Sequence, residues 1–289
     1  MPNKSGSHAA KQQLCDFEST LLNVFEKEVY CVFEHGTARV GLEQQGLAGE
    51  IALTLLAQEM RDFCLLEFLD EVTLAKFAQF FLASSENAGA SRTRIGPLSR
   101  SVSAKLNALL QSHSSNFAFF DAVLAVEPLI KRGVDFSVAR SLDRALRNTV
   151  SAGLQITSEW VSVPELTRLH VDRWGLNRSA LFFQALIALA RAPYCNSISI
   201  KDSDRVLGHQ IDFCFAGERR FYYSVAAHQT LPGIGTALLA ESIRRFAFDP
   251  EQSTYSFGRG GEKYKFRYAN CVRFCHYVVG FRVNGREEI

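Results

Sequence analysis

The chain of 289 residues predicts an α+β fold, because helical and strand patterns both occur and are separated by turns. Segments such as "VTLAKFAQFFLASS" and "RSALFFQALIALARA" repeat apolar residues every three or four positions, as buried helices do. Residues 196–226 change to a period of two and predict three strands in a meander, "SISIK", "RVLGHQIDFCF" and "RFYYSVAA". We therefore expect a mixed, mostly antiparallel sheet flanked by helices.

The N-terminal part predicts a separate α/β region over 13–134, preceded by a polar tail at 1–12 that we expect to be disordered. A short hairpin is predicted around His35-Gly36. The segments "EIALTLLAQEMRDF" and "VTLAKFAQFFLASS" both predict amphipathic helices. Residues 84–101 are rich in Ser, Gly and Asn, which is typical of a loop or linker.

The C-terminal part, 135–289, predicts a second domain in which helices precede the meander, and a helix, a strand, a turn and a last strand follow it. Its first helix, 137–153, carries Arg140, Arg144 and Arg147 on one face, which is most simply a solvated surface. A helix over 163–174 is indicated by Ser162 and Glu165 at the spacing of a capping box. The last strand is predicted within "FCHYVVGF", and "GGEKYKFRY" before it is predicted as a turn.

Composition excludes several classes of protein. A net charge of +2 is too small to indicate bulk nucleic-acid binding. No apolar run approaches the roughly 20 residues that span a bilayer. The N-terminus does not resemble a signal peptide, and the seven cysteines form no CxxC pair, so we expect reduced thiols in a cytoplasmic protein. Cys271, Cys275 and His276 lie close together in sequence, but they lack a second ligand pair, and we predict no metal site.

The segment "LPGIGTALLAESIRR" joins a predicted strand to a helix through Gly233 and Gly235. Glycines let a ligand approach the backbone, and the start of a helix offers N–H groups without partners. This arrangement favours a phosphate or pyrophosphate, although two glycines before a helix also occur in an ordinary tight turn. It matches neither GxGxxG nor a P-loop.

Three stretches of the sequence resemble a known family, and the resemblance covers roughly residues 137–281. They are "LTRLHVDRWG" (166–175), "QIDFCFAGERRFYYSVAAHQTLPGIGTALLAESIRR" (210–245) and "YSFGRGGEKYKFRY" (255–268). Together they are similar to the Gcn5-related N-acetyltransferase (GNAT) superfamily. Within it they resemble the CelD/BioF2-like acetyltransferases, a branch related to the FemAB peptidyltransferases. The N-terminal region would then be either a degenerate GNAT-like half or an unrelated helical cap.

Two positions depart from the family pattern. The hallmark aspartate of the third motif is replaced by Gly261, which leaves Glu262 as the motif's acid. In the glycine signature, Gln229 stands one residue too far from Gly233. These departures keep a catalytically silent acyl-CoA-binding or scaffold protein as an alternative function.

The resemblance implies an acyl-CoA-dependent N-acyltransferase, with acetyl-CoA or another acyl-CoA as co-substrate and direct attack by an amine in a ternary complex. It implies that the strand "YYSVAA" separates from a neighbour and that its backbone pairs with pantetheine. The loop after this strand would hold the pyrophosphate. The implied donor-binding residues are Ser224, Val225, Ala226, Leu231, Gly233, Ile234, Gly235 and Thr236.

The chemistry requires a base for the amine and an acid for the leaving thiolate. Glu262 is the predicted base, although its cationic neighbours would keep it ionised and could use it in a structural ion pair. Tyr264 or Tyr222 could protonate the thiolate, although an aromatic residue in a strand more often belongs to the core. His228, just before the glycine loop, is a further candidate.

The predicted substrate-binding residues lie in two motifs. His170 and Trp174 are four residues apart on one helix face, bordered by Arg173. Arg259 and Lys265 could bind a carboxylate or phosphate of the acceptor, or the 3′-phosphate of CoA. The ordinary alternatives are a packed histidine in the first case and a solvated cationic edge in the second.

The expected partner is a small-molecule, peptide or sugar amine, handled by a bacterial-type cytoplasmic enzyme. A FemAB-like relative would instead take an aminoacyl group from tRNA, which the low net charge disfavours. Nucleic acid is otherwise not expected to bind. The sequence leaves the acceptor, the acyl chain length and the oligomeric state open.

Overall fold

A computed structural model describes residues 4–47, 50–60, 64–133, 140–175, 180–227 and 233–283. The chain divides into two compact units, one made of Met1–Val126 with Phe274–Ile289 and the other of Glu127–Arg273. The predicted boundary at 134/135 is therefore close to the observed one. The prediction placed the whole last strand in the second domain, and this is wrong, because most of that strand belongs to the first unit.

The first unit combines three helices with strands of a mixed sheet. In chain order its elements are α1 (Lys4–Val24), β1 (Cys31–His35), β2 (Ala38–Leu47), β3 (Glu50–Leu55), α2 (Glu71–Asn87), β4 (Arg92–Leu98), α3 (Arg100–His113) and β5 (Phe117–Lys131). Strand β5 continues into the second unit. Strands β1, β2 and β3 pair antiparallel, and β3 pairs parallel with β4. The predicted hairpin and helix α2 are confirmed.

Three predictions for this unit are wrong. Residues 4–12 are helical rather than disordered, because Ala10, Leu14 and Phe17 begin a buried stripe along α1. The segment from Glu50 forms strand β3, since its apolar residues fit a period of two as well as a helical one. The predicted loop at 84–101 contains strand β4, in which exposed arginines alternate with the buried Thr93 and Ile95.

The second unit contains the remaining elements. They are α4 (Arg140–Ser151), β6 (Gln155–Thr157), α5 (Val163–Trp174), α6 (Ala180–Ala190), β7 (Cys195–Asp202), β8 (Arg205–Phe215), β9 (Glu218–Ala226), α7 (Ile234–Phe248), β10 (Thr254–Ser256), α8 (Lys263–Tyr268) and β11 (Cys271–Arg282). Strand β11 begins here and continues into the first unit, where it pairs antiparallel with β4. The sheet order in this unit is β6–β7–β8–β9–β10–β5.

The pairing within the second unit is antiparallel except between β9 and β10, which are parallel. The predicted α+β class with a mixed, mostly antiparallel sheet is therefore confirmed. Strand β6 was not predicted. The predicted turn "GGEKYKFRY" is wrong in its second half, since Lys263–Tyr268 forms helix α8.

Helix α7 is the central helix of this unit. Its residues Ile234 and Leu238 join a buried cluster with Ile198 and Ile200 of β7. Further along, Ile243 and Phe246 pack with Tyr255 of β10. Because both halves of α7 are anchored on strands, the start of this helix has a fixed position.

A buried polar network supports the same strands. The carboxylate of Asp212 on β8 accepts hydrogen bonds from Gln210 Nε2 at 2.8 Å, Arg219 Nε at 3.0 Å and Ser242 Oγ at 2.5 Å. The Ser242 hydroxyl lies 2.9 Å from the hydroxyl of Tyr255. The network thus links β8 and β9 to α7 and β10. Among the described residues, no helix is both long and apolar enough to cross a membrane.

Candidate functional site

The candidate site begins where β9 is no longer paired with β10. Strand β9 pairs with β8 as far as Gly208 opposite Ala226. Its pairing with β10 covers only Thr254–Ser256 opposite residues 218–220. The remainder of β9 therefore separates from β10, as expected for "YYSVAA".

The same part of β9 contains a bulge. Tyr223 lies opposite Ile211 and Phe221 lies opposite Asp212, so Tyr222 is an extra residue in this strand. The ring of Tyr222 packs on Phe213, with 4.3 Å between ring centroids. Bulges bend a strand and are common beside active sites. The bulge lies at the point where β9 and β10 part.

A cavity of about 520 Å³ lies along this section of β9. The strand contributes Phe221 and residues 224–227 to its lining, and α7 contributes residues 233–236 and Leu239. Ten of the residues predicted from the sequence therefore line the cavity. Those that line it are Ser224, Val225, Ala226, Gly233, Ile234, Gly235, Thr236, Arg173, Trp174 and Tyr264.

The start of α7 leaves room for a ligand. Gly233 occupies the N-cap position with φ of 100°, a conformation that favours glycine, and no side chain caps the helix there. By contrast, Ser162 caps α5 through the N–H of Glu165. A Cβ added to Gly235 would meet no atom of the described residues within 4 Å. The first N–H groups of α7 thus border open space, as an anion site at a helix start requires.

Two tyrosines of α8 line the cavity on one face of that helix. Burial, together with the nearby Glu262 carboxylate, raises the pKa of Tyr264 to about 12. The Tyr264 phenol therefore stays protonated at neutral pH and can donate a proton or a hydrogen bond. Tyr268, four residues later, lies 3.5 Å from Ser141 through the two hydroxyl oxygens.

Arg259 and Lys265 of the third motif, predicted to bind substrate, contact each other instead of lining the cavity. Lys265 is 4% exposed, and its Nζ donates to the carbonyl oxygen of Arg259 at 2.7 Å. The same Nζ lies 3.1 Å from Glu262 Oε2. None of these three residues lines the cavity. In this geometry Lys265 closes the turn that leads into α8.

The residues predicted on α5 divide into two groups. Arg173 and Trp174 line the cavity, and Trp174 is 45% exposed. His170 is buried behind them, with its ring centroid 4.5 Å from that of Trp174. Its Nδ1 lies 2.9 Å from the hydroxyl of Tyr223. The histidine therefore supports the tryptophan rather than lining the cavity.

His228 and Leu231 lie outside the described residues. Sequence reasoning missed four residues of the lining, namely Phe221, Ala227, Leu239 and Tyr268. For Tyr268, the four-residue spacing from Tyr264 would have been a sufficient signal once a helix was expected there. The other three are apolar, and nothing in their sequence context separates them from core residues.

No family model matches this chain, and no curated protein matches it by sequence. Solved structures are similar in fold. The C-terminal domain of a putative lysylphosphatidylglycerol synthetase from Agrobacterium fabrum has a TM-score of 0.59 at 11% identity, covering 94% of this chain and 92% of that one. L-PGS from Bacillus licheniformis has a TM-score of 0.57 at 11% identity, with coverage of 92% and 91%.

FemX has a TM-score of 0.54 at 9% identity, and the match covers 96% of both chains. The predicted α+β fold is therefore shared with these structures. Identities this low show the fold alone. The assignment to the CelD/BioF2-like branch remains a prediction.

Proposed function

We propose that this protein is an acyltransferase that moves an acyl group from a CoA thioester to an amine. One observation carries the proposal. The cavity lies where β9 and β10 part, at the start of α7, and residues from all three sequence motifs line it. A long, thin ligand with a phosphate at one end fits this combination of strand edge and helix start.

The donor would bind in two parts. The pantetheine arm would lie along β9 beyond Arg220, where the strand no longer pairs with β10 and its peptide groups can hydrogen-bond to the arm's amides. The pyrophosphate would lie against the N–H groups of residues 233–236. The glycines matter here because a side chain larger or more acidic than a methyl group on either would obstruct or repel the phosphate.

The reaction would be a direct transfer. The amine nitrogen forms a bond with the thioester carbon, the C–S bond breaks, and the products are an N-acyl amine and a free thiol. In this proposal Tyr264, which lines the cavity and is protonated at neutral pH, would give its proton to the leaving thiolate. The proton that the amine loses restores the phenol through solvent.

The base is not assigned to Glu262 in this proposal. Its side chain is 54% exposed and ion-paired with Lys265. Among the described lining residues there is no carboxylate, and Arg173 is the charged residue. The amine would therefore enter in its uncharged form, and Trp174 and Arg173 would contact the acceptor.

Isothermal titration with acetyl-CoA and a long-chain acyl-CoA tests the proposal. The matched variants are Gly235→Asp and Gly235→Ala, chosen because a Cβ there meets no atom within 4 Å in the part of the chain that the structure describes. We expect the aspartate to weaken binding by more than about tenfold, because like charges in contact cost several kcal/mol. The alanine should have a much smaller effect.

Two outcomes would count against the proposal. If wild type binds neither CoA ester, the donor is not acyl-CoA. If it binds tightly but an amine panel gives no turnover, the protein is a catalytically silent acyl-CoA-binding protein.

A further inference from the structure

Helix α4 presents a row of arginines to solvent. Arg140, Arg144 and Arg147 are exposed and recur at the spacing that places them on one face of the helix. The opposite face, with Leu142 and Thr149, is buried. The row extends over roughly 10 Å at 1.5 Å per residue. We call these three residues the arginine row.

Nothing within the described part of the chain accounts for the arginine row. None of the three side chains makes an ion pair or hydrogen bond with a described residue. On α7, by comparison, Arg244 and Arg245 both pair with Glu241. Stability therefore does not explain the row.

The arginine row lies on the helix next to the cavity. Ala145 of α4 packs against the cluster that contains Ile234 and Leu238 of α7. Leu146 packs against the cluster that contains Leu239. Both Ile234 and Leu239 line the cavity. Anything bound to the outer face of α4 would thus be one helix away from the start of α7.

We infer that the arginine row docks an acidic carrier protein, which delivers the acyl group on a phosphopantetheine arm. This inference rests on the proposed function and names its donor. The arm would enter the cavity as the pantetheine of CoA does, and the carrier's acidic surface would take the place of the nucleotide. Arginine is enriched in protein interfaces and is well suited to pair with carboxylates.

Four features favour a protein over a nucleic acid. The row is short, the exposed Asp143 lies beside it, and the chain's net charge is only +2. Val150 of the same helix is 64% exposed and offers an apolar contact. A polyanion that binds by charge alone would gain nothing from such a residue, whereas protein interfaces combine apolar and charged contacts.

Acyl transfer from the carrier follows the same steps as acyl transfer from CoA. The amine nitrogen bonds to the acyl carbon, and the C–S bond to the arm breaks. The sulfur takes a proton, so the carrier leaves with a free thiol. No other reactant is needed.

The test compares three probes by titration, namely acetyl-pantetheine, acetyl-CoA and an acidic carrier protein loaded with an acetyl group. We expect wild type to bind the loaded carrier more tightly than acetyl-pantetheine, by an amount that falls as salt rises. Replacing Arg140, Arg144 and Arg147 together by Glu should weaken carrier binding by roughly tenfold or more, as expected from the loss of several charge pairs. Binding of the two small thioesters should stay unchanged.

Single substitutions provide a matched control. Arg144→Glu should weaken carrier binding, whereas Arg191→Glu, an equal charge change at an exposed site away from α4, should not. If acetyl-pantetheine binds but the carrier adds no affinity, or if the triple variant keeps full affinity for the carrier, this inference is wrong and the proposed function survives. If acetyl-pantetheine and acetyl-CoA both fail to bind, the proposed function itself fails. Salt-sensitive binding of an RNA oligonucleotide that the triple variant loses, with no binding of the carrier, would assign the row to nucleic acid instead.

Discussion

The substitution Asp212→Asn tests how strongly the buried network holds the candidate site. Asp212 is fully buried, and its ion-pair partner Arg219 has a side chain that is 3% exposed. Asparagine has nearly the same shape, so the change creates no cavity. It removes the negative charge and leaves the guanidinium of Arg219 buried without a counter-ion.

The expected cost is large. Removing one partner of a buried ion pair typically costs about 3–5 kcal/mol, because the remaining charge is uncompensated. A domain's total free energy of unfolding is only about 5–15 kcal/mol. Asp172→Asn provides the matched control in the same unit, since Asp172 pairs with Arg168 at 3.2 Å but both side chains are at least a third exposed. That change should cost no more than about 1 kcal/mol.

The assay is urea unfolding at neutral pH, followed by intrinsic fluorescence. The two tryptophans, Trp160 and Trp174, both lie in the second unit, so their emission reports on the unit that contains Asp212. We expect the midpoint to fall strongly for Asp212→Asn, with little change in slope. A loss below about 1 kcal/mol would refute the reasoning, because the buried carboxylate would then not be what neutralises Arg219.

Three further predictions concern the site and its frame. Burial lowers the pKa of His209 to about 4, so between pH 6.5 and 4 the unfolded chain binds a proton that the native chain does not. The free energy of unfolding should fall by about 3 kcal/mol over this range, and His209→Asn should remove that part of the decline. Gly208→Ala should cost about 1–3 kcal/mol in urea unfolding, because its Cβ would lie 2.7 Å from a side chain of α7, whereas Gly46→Ala meets nothing. Tyr264→Phe should lower kcat for acyl transfer by about 100-fold or more if the phenol protonates the thiolate, and Tyr268→Phe should have a much smaller effect.

Each of these has a clear contrary result. An unchanged acid decline in the histidine variant would mean that other groups cause it. Equal stability of the two glycine variants would mean that α7 can move away from β8. Equal kcat losses in the two tyrosine variants would indicate that both residues shape the cavity and that neither acts as the acid.

The glycine loop beside the cavity was predictable because its signals are local in sequence. Gly233 and Gly235 stand between a strand and a helix, and both strand and helix have clear periodicity. The positive φ of Gly233 is the kind of backbone conformation that a glycine in this position indicates. Local patterns are thus sufficient to place a loop that is built from consecutive residues.

The environment of long polar side chains was not predictable from the sequence. Lys265 looks like a solvated cation in sequence, but it is buried, because its Nζ reaches back to the carbonyl of Arg259. His170 shares a helix face with Trp174 as predicted, yet only the fold shows that Tyr223 holds its ring. Burial and partners of long polar side chains depend on distant strands and helices, and a single sequence does not contain that information.

The N-terminal strands were missed for a different reason. Ile51, Leu53 and Leu55 satisfy both a helical and a strand pattern, and the neighbouring strand decides between them. In β4 the polar composition suggested a loop, although exposed arginines alternate with buried residues there. An alternation of buried and exposed residues over so short a segment is weak evidence for a strand until the partner strands are known.

The opening of the cavity follows from the sequence that ends β10. Ser256 is the last residue of that strand, and the buried Phe257 follows it. Gly258 and Gly260 then adopt φ values of 71° and 130°, which other residues rarely tolerate. The chain thereby leaves the direction of β9.

Because the strand stops there, a helix rather than another strand stands opposite the bulged half of β9. Helix α8 places Tyr264 and Tyr268 against the cavity, and Lys265 ties the turn in place behind them. A strand that continued in the direction of β10 would hydrogen-bond with β9 and close the edge along which we propose that the pantetheine arm binds. Gly258 and Gly260 therefore leave the edge of β9 open, just as Gly233 and Gly235 leave the start of α7 open. Each pair keeps backbone groups available where a thioester donor would bind.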